Sequence, residues 1–178
     1  MSIYERFSPA ELAILRERAN RAATLAEAVK AEVTLPILIV KLQTEAYALP
    51  VDLIESVYER VAVVLVPCVP AFVAGIANVR GQILPVINLA AVLSLPESPL
   101  PDRQTLVVAG NERMTVALAV DALGEAMTVR ASELAPLPPN LAVAHAEYVQ
   151  GLLPDGTALL DLQAILDDPA LIVDGATN

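Results

Sequence analysis

Apolar residues in this chain fall in short runs, each cut by proline, glycine or a polar cluster. Residues 72–79 and 83–89 are two such runs, with Arg80-Gly81-Gln82 as the polar tip between them. Ile83, Leu84, Val86, Ile87 and Leu89 are rich in β-branching, which predicts a strand buried on both faces. Gly75 and Gly81 stand where a chain turns or where another backbone comes close. Upstream, 37–42 predicts a strong strand and 47–49 its return, after the turn Gln43-Thr44-Glu45-Ala46. Val51, Ile54 and Val57 are spaced by three and suit one helical turn or an irregular strand entry. Downstream, a proline-rich connector over 96–101 is closed by Asp102-Arg103. Strands over 105–109 and 114–120 then flank the turn Gly110-Asn111-Glu112-Arg113. A short strand over 127–129 and an irregular segment over 134–139 follow. The runs 148–153 and 157–162 flank Pro154-Asp155-Gly156, a hairpin signal in which proline presets one turn angle and glycine takes a positive one. A short helix over 163–167 stops before Pro169, and the tail 174–178 is expected to be loose. No internal repeat can be aligned. Many short strands and few helices argue for a β-barrel or sandwich.

The first 34 residues follow a different period. Ser8 is placed as an N-cap, Pro9 at the first helical position and Glu11 as the partner in a capping box. Leu12, Leu15, Ala19, Ala22, Ala26 and Val29 recur at spacings of three and four, which predicts a helix over 9–32. Glu17 and Arg21 form an i, i+4 pair on its surface. The seam suits packing on its own domain or docking to another protein. It is short and alanine-rich for an isolated coiled coil. Leu35-Pro36 is read as the end of this element.

Composition narrows the function. The core is aliphatic, since 56% of the 178 residues are apolar and 3% aromatic. The formal charge of −10 argues against nucleic acid and against an anionic membrane surface. Residues 1–34 carry five basic and five acidic side chains. Of the chain's 11 basic and 21 acidic residues, six and sixteen therefore remain in the body, which favours basic or mixed-charge protein partners. The single cysteine, Cys68, cannot form an intramolecular disulfide, fits a reducing compartment and is read as a small buried side chain. No signal peptide is read at the N-terminus. Residues 61–79 form nineteen positions without a charge, but Pro67, Pro70 and Gly75 interrupt them and argue against a membrane span. Arg80 is the only charge between Arg60 and Glu97, so it is either paired or displayed.

The stretch 70–89 resembles the signature of CheW-like domains, the adaptor modules of bacterial chemotaxis arrays. Pro67, Pro70, Gly75, Asn78, Arg80, Gly81, Pro85 and Leu89 carry the match. The family's aspartate and arginine that follow are Asn88 and Ala90 here, and its glutamate near Val57 is Ser56. Val120-Asp121-Ala122-Leu123 and the closing hairpin are also similar to the family pattern, and the match runs over roughly 37–167. The resemblance implies a mainly β fold of two interlocked five-stranded SH3-like β-barrels. The domain reading is then a CheW-like domain over 35–170, preceded by an N-terminal helical extension over 1–34 that the resemblance does not explain and followed by a flexible tail over 171–178. It implies a cytoplasmic, non-enzymatic adaptor without cofactor or metal. Its partners would be the regulatory domain of a CheA-type histidine kinase, the cytoplasmic tip of methyl-accepting chemoreceptors and other CheW-like domains, with no nucleic acid and no membrane insertion. The partner-binding residues it implies are Arg80, Asn78, Gly81, Gly75, Ile54 and Gln82. Arg80 either contacts an acidic or carbonyl group of a partner or forms an internal bridge to Glu55 or Glu59.

Other chemistry is sparse. His145 is the lone histidine, with no second histidine or cysteine for a metal pair, and is read as solvated or satisfied. Asp167-Asp168 is read as a solvated helix end. Asp121, Glu125 and Asp161 suggest the alternative class, a small-molecule-binding or hydrolytic β-barrel using acids at strand ends. Gly75 and Gly81 lack the spacing and the lysine of a phosphate loop.

Overall fold

The computed structural model describes Ile14 and residues 17–21, 33–139 and 145–171. Most of the expected helix over 9–32, its caps included, lies outside these residues, as does the tail beyond Leu171. Ile14 and residues 17–21 are helical, and Arg21 meets Glu17 at 3.4 Å. Residues 35–178 form a separate compact unit.

That unit holds ten strands among its described residues, in two five-stranded sheets. The strands are β1 (Thr34–Leu42), β2 (Glu45–Pro50), β3 (Ile54–Ala62), β4 (Val73–Val79), β5 (Gln82–Asn88), β6 (Arg103–Gly110), β7 (Thr115–Val120), β8 (Ala122–Arg130), β9 (Val149–Leu152) and β10 (Ala158–Leu160). Two short helices follow, α1 (Leu89–Val92) after β5 and α2 (Leu162–Asp167) after β10. One sheet has the order β3-β6-β7-β5-β4 and comes from one continuous stretch of chain. The other has the order β8-β1-β2-β10-β9 and joins the two ends of the domain. This is the mainly β, two-sheet architecture expected.

The two orders are the same order. Counting the second sheet from β8, its strands run β8, β9, β10, β1, β2, and each position then matches β3, β4, β5, β6, β7. The third strand of each set is parallel to the fifth, β5 to β7 and β10 to β2. Each third strand runs into a short helix whose N-cap side chain accepts from the backbone, Asn88 from Ala91 N at 3.4 Å and Asp161 from Ala164 N at 2.9 Å. The repeat that could not be aligned is therefore present. Val86-Ile87-Asn88-Leu89 and Val92-Leu93 answer Leu159-Leu160-Asp161-Leu162 and Ile165-Leu166. Two strands of one copy precede the other copy in the chain, which hides the period.

Each barrel has its own interior. Ala77, Val79, Leu84, Val86, Leu106 and Val108 fill one, and Ile37, Ala48, Val129, Leu153 and Leu159 the other. A larger shared core lies between them, with Val40, Leu42 and Leu49 from one sheet, Ile87, Val107 and Leu118 from the other, and both helices. The link is reciprocal. Asn111 in the β6–β7 turn donates to Asp167 of α2 at 3.0 Å, and Gln43 in the β1–β2 turn donates its side-chain amide to the Pro96 carbonyl after α1.

Several local expectations change. The β1–β2 turn is two residues, Gln43-Thr44, with Leu42 opposite Glu45 and Gln43 at φ 56°. Pro36 lies inside β1 and does not end the preceding element. Val51–Leu53 make one 3-10 turn, and Ile54 and Val57 belong to a nine-residue strand. The strand expected over 127–129 is also nine residues long. Residues 83–89 are buried on both faces only from Val86 on, where Val86 enters a barrel interior and Ile87 the shared core, while Ile83 is 59% exposed and Pro85 is exposed. Composition alone does not separate a doubly buried strand from one whose outer face carries apolar residues. Cys68 is exposed, at φ 60° in the loop after β3, and is not the buried side chain expected. The Pro154-Asp155-Gly156 turn is as read, with Gly156 at φ 88° and its N–H donating to Leu153 O at 2.9 Å.

Candidate partner-binding site

The β4–β5 hairpin carries most of the residues singled out in the sequence. Val79 pairs with Gln82, leaving Arg80 and Gly81 as a two-residue turn with φ of 50° and 86°. Two positive φ values give the hairpin turn whose twist matches its strands. Asn78 accepts the Gly81 N–H on Oδ1 at 2.8 Å, so its exposed side chain fixes the turn. A Cβ on Gly81 would meet nothing within 4 Å, and its role is conformational.

Gly75 is a different case. It is buried at φ 143°, and a Cβ there would sit 2.2 Å from the Val64 carbonyl oxygen. Beside it Ile76 exchanges both backbone hydrogen bonds with Val64, at 2.8 and 2.9 Å. That bridge joins the chain after β3 to β4, the two edges of the sheet, and closes the barrel. Pro85, opposite Ile76, costs no ladder bond to β4, because Ile76 directs its backbone groups to Val64. Pairing of β5 with β7 starts one residue later, at Val86.

The hairpin tip presents Asn78, Arg80, Gly81, Gln82 and Ile83, all exposed. The Arg80 guanidinium lies 5.5 Å from the centroid of the Tyr58 ring on β3. This cation–π contact is worth about 0.5–1 kcal/mol at an exposed site and leaves the outer hydrogen-bond donors available. Among the described residues Arg80 makes no ion pair. Glu55 instead accepts from Thr115 Oγ1 at 3.3 Å, so the expected bridge to Glu55 or Glu59 is replaced by the stack on Tyr58. Ile54 lies apart from this tip, half-buried against the shared core and paired with Ala109. Sequence reasoning missed Tyr58 and Ile83. Ile83 follows Gln82 and alternates with inward Leu84 and Val86, a period-2 signal that the apolar run obscured.

The acids at strand ends hold backbone. Asp121 accepts from Gln43 N, and its own N–H donates to Lys41 O at 3.0 Å. Asp161 caps α2. Asp167 and Asp168 are half-buried and engaged, correcting the solvated reading: Asp167 accepts from Gln163 at 2.6 Å and from Asn111, and Asp168 from the Tyr148 hydroxyl and Ala170 N. These bonds hold the Asp168 carboxyl below its ordinary range, the Tyr148 bond contributing most. Burial first, then the Asp168 bond, pushes the Tyr148 phenol up to about 12.

His145 sits between Ser94 Oγ, 2.8 Å from Nε2, and Glu147 Oε1, 3.0 Å from Nδ1, with its ring stacked on Tyr148. The trio has the order of a hydrolase relay, yet Ser94 stands at the C-terminal end of α1. Its N–H and that of Leu95 already bond Ala91 O and Ala90 O, at 3.0 and 2.9 Å. Those amides close a helix and are not free to stabilise an oxyanion. Among the described residues no group of three or more metal-ligating side chains occurs, and no helix is long and apolar enough to cross a membrane.

Comparison with known proteins places the two-sheet fold in a family. The model of the CheW-like domain matches residues 36–170, and the chain belongs to that family. It is 30% identical over 105 residues to a probable chemotaxis protein CheW of Rhizobium etli, spanning 57% of this chain and 68% of that one. It is 27% identical over 124 residues to the chemotaxis protein CheW of Bacillus subtilis, spanning 68% and 80%. The solved structure of scaffolding protein TtCheW from Thermoanaerobacter tengcongensis matches with a TM-score of 0.66, over 78% of this chain and 96% of that one, at 23% identity, a likeness of fold.

Proposed function

We propose that this protein is a non-enzymatic, cytoplasmic adaptor that couples chemoreceptors to a CheA-type histidine kinase. The observation that carries the reading is Arg80, held on a glycine turn and stacked on Tyr58, with its charge unneutralised among the described residues. A guanidinium fixed in this way loses little side-chain entropy on binding and offers a planar fork to a carboxylate or to backbone carbonyls. Ile83 supplies apolar area beside it. Asn78, Gly81 and Gln82 shape the same tip, while Gly75 closes the barrel behind it and Ile54 lies apart, against the shared core. An adaptor of this kind works through modest contacts multiplied across an array. The carboxylates of the hydrolytic alternative, Asp121 and Asp161, are occupied by turns and caps.

The test is titration of Arg80→Ala and Arg80→Glu against the kinase regulatory domain and against a receptor cytoplasmic fragment, each beside a melting curve. Arg80→Ala is expected to weaken one of the two complexes by about 2 kcal/mol, the order of an interfacial hot spot, with Arg80→Glu weaker still. Unchanged affinities together with a lowered melting temperature would assign Arg80 to folding and overturn the reading.

A further inference from the structure

An apolar cleft of about 390 Å³ opens beside the outer face of the β4–β5 hairpin. Ile76 and Pro85 stand opposite one another on that hairpin and form one wall. Val66, in the loop after β3, forms a second, and Met114 and Val116, around the start of β7, a third. Arg113 is the one charged residue of the described lining. It is exposed and makes no ion pair among the described residues, although its backbone N–H is tied to Asn111 Oδ1 at 2.9 Å.

Leu171 says what covers it. This residue lines the cleft, is 7% exposed, and donates its N–H to Asp168 O at 3.0 Å. The chain therefore leaves from a fixed point in the cleft wall, and the next residues are Ile172-Val173-Asp174. Two aliphatic side chains followed by a carboxylate match an apolar hollow with a single cation at its rim. Three residues reach at most about 10 Å, enough to carry the carboxylate across a cleft that Leu171 and Arg113 both line. A second copy or another protein would have to bring the same groups against a tether of three residues, whose effective concentration is high. The segment lies beyond residues 36–170, outside the family match. We propose that Ile172 and Val173 seat in this cleft and that Asp174 pairs with Arg113. The C-terminal segment then braces, from its outer face, the hairpin that carries Arg80.

The experiment uses the full chain with its isoleucine, valine and methionine methyl groups labelled for NMR. The expected result is nuclear Overhauser contacts from the Ile172 and Val173 methyls to those of Met114 and Val116, independent of protein concentration. Ile172→Ser combined with Val173→Ser should abolish the remaining contacts of the segment and lower the melting temperature by about 4 °C or more. Ala176→Ser, farther along the tail, should change neither. Arg113→Glu and Asp174→Arg should each weaken the methyl contacts, and the two together should restore them, more fully at low salt than at high. Contacts seen only between labelled and unlabelled molecules would assign the cleft to a second copy. Absence of contacts, with melting unchanged in the double serine variant, would leave it to another protein. Either outcome, or a charge swap that restores nothing, would overturn the proposal.

Discussion

The two barrels close in the same way but under different strain. In the continuous barrel the chain beyond β3 bridges β4 at Val64–Ile76, and Gly75 lies against the Val64 carbonyl. In the divided barrel the chain beyond β8 bridges β9 at Ala135–Leu152, and Gly151 lies against the Ala135 carbonyl. Gly75 pairs with Val86 and Gly151 with Leu159, the same register relative to the capped helix that follows. A Cβ would approach the carbonyl oxygen to 2.2 Å at Gly75 and 2.9 Å at Gly151, and of the two only Gly75 takes a positive φ. Closing a small barrel thus demands a glycine at one topological point. How tightly it is demanded depends on how closely the edges are drawn together.

The sharpest way to break this comparison is to add the missing methyl group. Gly75→Ala combines a backbone collision with a left-handed φ and should destabilise the fold by about 3–5 kcal/mol. Gly151→Ala, at a negative φ, brings its Cβ to 2.9 Å from a backbone oxygen that must give way, and should cost about 1–3 kcal/mol. Gly81→Ala, with open space around it, should cost about 1 kcal/mol from conformation alone. Urea denaturation of the three variants checks the order. Equal losses at Gly75 and Gly151 would show that the edges relax independently of register.

The paired caps offer a smaller test. Asn88→Ala and Asp161→Ala each remove one N-cap and should cost about 1 kcal/mol. Asp161 has the shorter bond, 2.9 against 3.4 Å, and the charged acceptor, so its loss should be the larger. Shifts in the urea midpoint at constant slope decide it. The equivalence also accounts for Asn88, where the family pattern has aspartate: both residue types serve as N-caps.

The smallest effect separates the helix ends. Both segments close on their own backbone, but the one after α1 is tied onward by the Ser94 hydroxyl to His145 and the one after α2 by the Asp168 carboxylate to Tyr148. The folded Asp168 carboxyl titrates below its unfolded value, so its contribution is present above about pH 4 and is lost as pH falls through the folded pKa. Asp168→Asn should lower the melting temperature at pH 7 and flatten its decline on acidification. Parallel melting curves for parent and variant between pH 7 and 3 would remove this difference between the ends.

Strands, hairpins and the Arg80-Gly81 tip were legible in the sequence because their causes are local. Proline and glycine fix turn angles, β-branched runs favour extended backbone, and an isolated charge in apolar surroundings stands out whatever the fold. The glycine at 75 was legible as a close approach, though not what approaches it. Tertiary structure alone decided that Val64 lies against Gly75, that Tyr58 rather than a glutamate underlies Arg80, and that Ile83 faces outward and Cys68 is exposed. Each depends on strands far apart in sequence, and a period-2 run does not name its own inner face. The internal repeat was written in the residues from the start, in Asn88-Leu89 and Asp161-Leu162. It became readable only in space, because the chain supplies the last two strands of one barrel before it begins the other.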